Sequence, residues 1–86
     1  MYKIVVHKRV AKNISRIPKS HLRKLSLLLD VLKRDQVPWR DFDLKKIVGV
    51  DSTYRVRIGD YRVIYFVEKE NKTVHILKFE HRDKVY

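Results

Sequence analysis

The chain has 86 residues, with 21 Lys plus Arg against 10 Asp plus Glu, a formal net charge of +11 and no cysteine. That is enough for one modest core. It excludes disulfides and thiolate metal centres, and the charge points to an anionic partner: nucleic acid, an anionic surface or an acidic protein. Residues 1–29 contain no acid, and no apolar run approaches the length of a membrane span. The basic start MYKIVVHKRV has too short an apolar part for a signal peptide, so a cytoplasmic protein with no membrane partner is the default expectation.

Tyr2 to His7 reads as a strand around Ile4, Val5 and Val6. Val10, Ile14 and Ile17 then fall at helical spacing, and Pro18 ends that first helix because proline disfavours helical geometry in the residue before it. Lys19 to Asp35 is the clearest helix, with Leu22, Leu25, Leu29 and Leu32 as its stripe and Leu28 widening it. A polar connection carries Trp39 and Phe42, and Leu44 to Val48 reads as a short strand or an extended lead-in. Two runs of β-branched and aromatic residues then flank Gly59-Asp60, the signal of a β-hairpin. Thr73 to Phe79 is a further strand, and Glu80 to Tyr86 is a charged tail. This order predicts one α+β domain over residues 1–86: an N-terminal strand, a two-helix hairpin, then a mostly antiparallel sheet of about three further strands.

The hairpin fixes its own register. With Gly59 and Asp60 as the whole loop, Ile58 faces Tyr61, Arg57 faces Arg62 and Arg55 faces Ile64. Side chains alternate along a strand, so Arg55, Arg57, Arg62 and Ile64 share one face. Tyr54, Val56, Ile58, Tyr61, Val63 and Tyr65 share the other, which is the expected core side. One arginine on a solvent-facing strand is ordinary surface. Three on one face repel one another unless an anion receives them.

The helix pair broken at Ile17-Pro18, the string YRVRIGDYRVIY, the β run after it and the ending His81-Arg82-Asp83-Lys84-Val85-Tyr86 resemble the RelE toxins of the RelE/ParE superfamily. The resemblance covers nearly the whole chain, and its most specific parts are the arginine hairpin and the HR-x-x-VY ending. It implies a ribosome-dependent endoribonuclease that cuts message in the A site. The implied chemistry is metal-free and needs no cofactor: the ribose 2′-hydroxyl attacks the adjacent phosphate. It also implies a RelB-type antitoxin that binds and blocks the chain in a heteromeric complex. By position, Arg55 and Arg57 fall where the family prototype has basic residues on the strand before the turn. Arg62 matches the arginine of the family's G-x-Y-R motif, Arg82 that of the HR-type motif, and Tyr86 a tyrosine that stacks on a nucleobase. The spacing from Arg82 to Tyr86 is shorter than in the best-known bacterial members.

Cleavage by a neighbouring hydroxyl needs a base, a charge stabiliser for the phosphorane and an acid for the leaving oxygen. Arginine suits the second role, being planar, always charged and able to grip phosphate bidentately. The expected clamp is Arg57, Arg62 and Arg82, with Arg55 on the backbone nearby. Where the prototype has a lysine on the strand, this chain has arginine at both positions, and arginine does not give up its proton in proteins. His81 and Tyr86 are therefore the candidate bases. His7, His21 and His75 show no metal-ligand spacing. Two other readings stay open: a ParE-like gyrase inhibitor that cuts no RNA, and a basic nucleic-acid-binding module.

Overall fold

The computed structural model describes residues 1–85. Its frame is a five-stranded sheet in the order β1-β5-β4-β3-β2, built from β1 (Lys3–Val6), β2 (Asp43–Lys46), β3 (Thr53–Ile58), β4 (Tyr61–Glu68) and β5 (Thr73–His81). Three of the four pairings are antiparallel, and β1 runs parallel to β5. The α+β architecture is thus as the sequence predicts, with one strand more after the helices than the approximate three. The extra one is β2, whose strand character comes from pairing with β3. Its own sequence, DLKK, has no apolar alternation beyond Leu44.

Between β1 and β2 lie α1 (Lys8–Asn13), a 3₁₀ turn at Ile14–Arg16 and α2 (Lys19–Leu32). The first helix is shorter than its periodicity suggests, because the chain tightens before Pro18, and Pro18 itself stands at the N-cap of α2. The second helix ends three residues before Asp35. The Asp35 carboxylate accepts the Val37 N–H at 3.1 Å, a local turn that competes with further helix.

The helices cover one face of the sheet. Val10, Ile17, Leu25, Leu28 and Leu32 meet Val56, Ile58, Val63, Tyr65, Val67, Val74, Ile76 and Phe79 in one buried cluster, with Tyr54 and Tyr61 at its margin. The sheet residues of this cluster are the alternate positions of β3, β4 and β5, as the two-residue strand period requires. A register shift after Ile64 pairs Ile64 with Lys78 but Tyr65 with Ile76. Leu77 is the extra residue of a β-bulge, a device that increases local twist. The Tyr65 hydroxyl donates to the Gln36 carbonyl at 2.8 Å, tying the segment after α2 to the sheet. Burial, then the neighbouring Tyr54 and Asp35, push the Tyr65 phenol well above its ordinary pKa, so it stays protonated.

The tail does not remain extended. After His81 the chain turns into a short helix, α3 (Arg82–Val85). The turn is held by the Arg82 N–H, which donates to the Asp60 carbonyl at 2.7 Å.

Candidate RNA phosphate site

The other face of the sheet is left open by the helices, and the arginines stand on it. The register is the one the sequence dictates: Ile58 opposite Tyr61, Arg57 opposite Arg62, Arg55 opposite Ile64. Gly59 has φ +56°, the conformation required at the first loop residue of a two-residue turn of the II′ kind. A β-carbon built there would lie 2.5 Å from Cε1 of His21, which packs over the turn from the start of α2.

Extending the register across the sheet gives two charged rows. The first is Asp43, Arg57, Arg62 and Glu80, an acid at each end and two arginines between. The second is Lys45, Arg55, Ile64 and Lys78. Arg57 and Arg62 are direct cross-strand neighbours, close enough that like charges oppose each other. Each is anchored differently. Arg62 is only 7% exposed, and its Nη1 donates to the carbonyls of Gly59 and Tyr61, both at 3.1 Å. Its buried Nε has no hydrogen-bond partner among the described residues. Arg57 is half exposed, with Nη1 3.9 Å from Asp43 Oδ2. Arg55 is mostly buried, with Nη2 3.8 Å from Asp43 Oδ1, and its Nε is a second buried donor without a partner among the described residues. Unused donors of this kind are costly to bury unless a ligand completes them.

Arg82 arrives at the same turn from the other side. Its guanidinium lies 3.9 Å from Asp60 and 3.7 Å from Asp83, while its backbone is bonded to Asp60. The Gly59-Asp60 turn thus gathers Arg62 through one carbonyl and Arg82 through the next. The bend after His81 makes this possible, where a straight tail would have carried Arg82 past the sheet.

His81 goes elsewhere. It is the register partner of Tyr61, and its ring meets that tyrosine edge-on at 5.6 Å on the helix-covered side. Its Nδ1 accepts the Asp83 N–H at 3.3 Å and lies 3.4 Å from the Asp83 carboxylate. It borders a cavity of about 160 Å³ with Asn13, Arg16, Phe79 and Lys84, so the structure does not bring it onto the arginine row. Tyr86 lies outside the described residues. His7, His21 and His75 belong to no cluster of metal-ligating side chains among the described residues. His75 hydrogen-bonds Glu68 at 2.8 Å at the far end of the open face, and that bond, with another from Asn71, holds the Glu68 carboxyl below its usual range.

Sequence reasoning missed the acids. Asp43, Asp60 and Glu80 each stand beside an arginine of the site, placed there by the pairing of β2 with β3, the turn into α3 and the pairing of β4 with β5. For Glu80 a signal existed: counting back from the hairpin along a third strand would have set it opposite Arg62.

Comparison with known proteins shows the family to which this fold belongs. Residues 4–86 match the family model described as the ParE toxin of the type II toxin–antitoxin system parDE. A putative toxin RelE1 of Methanocaldococcus jannaschii is 38% identical over 85 residues, covering 99% of this chain and 94% of the relative. The toxin fold in the crystal structure of an archaeal RelE–RelB complex from Pyrococcus horikoshii superposes with a TM-score of 0.85 at 38% identity, covering 98% of each chain. The isolated Escherichia coli RelE toxin shares the fold at a TM-score of 0.75, with 19% identity over 94% of this chain and 84% of that one. This chain therefore belongs to the RelE/ParE family of type II toxin–antitoxin toxins, and within it to the RelE type.

Proposed function

We propose that this toxin is a ribosome-dependent endoribonuclease that cuts messenger RNA in the A site, and that a RelB-type antitoxin holds it inactive. The observation that carries the reading is that Arg62 and Arg82 are both held at the Gly59-Asp60 turn, with Arg57 the direct cross-strand neighbour of Arg62. In the reaction the 2′-oxygen bonds to phosphorus and the bond from phosphorus to the 5′-oxygen breaks. A cyclic phosphate and a 5′-hydroxyl result. Arg57, Arg62 and Arg82 hold the charge that builds on the phosphorane, with Arg55 on the neighbouring backbone. Because Arg62 is locked to the turn carbonyls, its fork needs little reorganisation as that charge develops.

His81 stands with Tyr61 and away from the arginine row, so the candidate to take the 2′-hydroxyl proton is Tyr86, which lies outside the described residues, and the leaving oxygen takes a proton in return. Replacing Tyr86, with His81 as the control, and recording the pH–rate profile tests this: the ascending limb set by the base disappears with the residue that carries it. The ribosome and message place the reaction in the cytoplasm; no helix among the described residues is long and apolar enough to cross a membrane.

The antitoxin reading is supported by the RelB-bound state of the Pyrococcus horikoshii relative and by exposed apolar side chains such as Trp39, 65% exposed with the Arg40 guanidinium 5.1 Å from its ring centroid. A second reading, gyrase inhibition without RNA cleavage, is favoured by the ParE family match. The test is to add the purified chain to ribosomes programmed with a defined message and to map the message ends, with gyrase supercoiling assayed beside it. Cuts within the A-site codon, lost in Arg82→Ala, carry the nuclease reading. An intact message with stalled gyrase overturns it.

A further inference from the structure

Asp43 does no work in the reaction proposed above, yet among the described residues it is the acid whose carboxylate reaches two arginines. Its two carboxylate oxygens are divided between two guanidinium groups, Oδ1 at 3.8 Å from Arg55 and Oδ2 at 3.9 Å from Arg57. Its position is fixed by the β2–β3 register, directly opposite Arg57. We propose that Asp43 is a selectivity residue, an internal stand-in for phosphate that keeps loose single-stranded RNA off Arg55 and Arg57. This rests on reading the arginine face as an RNA phosphate site.

The physical case is a competition between anions. At these distances the pairs are ionic contacts without directional hydrogen bonds, and the Asp43 carboxylate they share is half exposed, so each is weak. A phosphate presented at the right place and orientation can accept two charge-assisted bonds from a guanidinium fork, which the carboxylate of Asp43 does not do at 3.8 and 3.9 Å. Such a phosphate wins against Asp43. A phosphate on a flexible strand pays for its own ordering and meets the carboxylate's repulsion as well, so it loses. Without Asp43, the two charged rows hold Lys45, Arg55, Arg57, Arg62 and Lys78 against Glu80 alone. That is a surface suited to any polyanion. Asp43 thus shifts recognition from charge towards geometry, which suits a site that should act only where another body presents the strand.

The experiment measures affinity for a labelled single-stranded RNA oligonucleotide, without ribosomes, by fluorescence anisotropy. Asp43→Asn should bind about 3- to 10-fold more tightly than the wild type at low salt, the gain shrinking as salt rises. The dependence of log affinity on log salt should steepen by up to about 0.7, one further strand phosphate engaged. Asp43→Glu should restore near wild-type affinity, and the gain should vanish when Arg55→Ala and Arg57→Ala are added. Asp43→Ser carries the same expectation if the asparagine variant folds poorly. Equal or weaker binding in both Asp43 variants overturns the proposal, as does a gain that survives removal of the two arginines. Wild-type cleavage on programmed ribosomes is run in parallel. Its absence would sink the nuclease reading, whereas cleavage with unchanged Asp43→Asn affinity would sink this proposal alone.

Discussion

The two faces of the sheet are made from the same three central strands and answer to different physics. The helix-covered face is Val56, Ile58, Val63, Tyr65, Val67, Val74, Ile76 and Phe79, all buried in one cluster. The open face, one residue out of step, is Arg55, Arg57, Arg62, Lys78 and Glu80 with Asp43 and Lys45 at the edge. The first gains stability by removing apolar area from water. The second holds like charges side by side and keeps buried donors without partners, which a fold selected for stability alone would avoid. That cost on one face, beside close packing on the other, supports the proposed reading of the first as a phosphate site. The comparison also shows what steadies the open face: backbone carbonyls for Arg62 and carboxylates for Arg55, Arg57 and Arg82.

Substitutions on each face should separate the two roles. The largest effect belongs to the covered face: Phe79→Ala should cost about 3–5 kcal/mol of stability by leaving a cavity, read as a fall in the denaturant midpoint. Any cleavage that remains should scale with the folded fraction. Next is Arg62→Ala, which should lower turnover on programmed ribosomes about 100- to 1000-fold, the equivalent of roughly 3–4 kcal/mol. Its stability loss should be only about 1 kcal/mol, because the turn carbonyls it releases can bond water.

Gly59→Ala should be smaller, about 1–3 kcal/mol of stability, since alanine disfavours φ +56° and its methyl group meets His21. Adding His21→Ala should recover the part due to the clash and not the part due to the backbone. A full recovery would place the whole effect in the clash. The smallest is Glu68→Gln, far from the arginines. Glu68 titrates below its ordinary range in the folded chain, so its bond to His75 contributes stability above the unfolded carboxyl range and loses it as pH falls through the folded value. Melting curves of wild type and variant should therefore differ slightly near neutral pH and converge once the pH has fallen below the lowered Glu68 value.

Which parts of this were legible in the sequence follows from how local their causes are. The hairpin register and the division of its side chains between two faces follow from Gly59-Asp60 and the two-residue strand period alone. Pro18 marks the break between the helices for an equally local reason. At Leu44 the sequence leaves strand and extended lead-in equally open, because four residues with one apolar side chain are a strand only by virtue of their neighbour. The parallel docking of β1, the bulge at Leu77 and the helix at Arg82 also depend on distant partners. For the candidate site, the arginines could be read from spacing. The side taken by His81 is settled by register across β4 and β5, which places it with Tyr61 and away from Arg62.

The most direct test of the two-faced account uses Arg57, which is half exposed and bound to the rest of the chain only through Asp43 among the described residues. Arg57→Ala should melt within a few degrees of the wild type, as expected for a surface change. The same sample should cut message in the A-site codon about 100-fold more slowly. Wild-type cleavage by that variant, or a loss of cleavage that merely follows a loss of folding, would contradict the account.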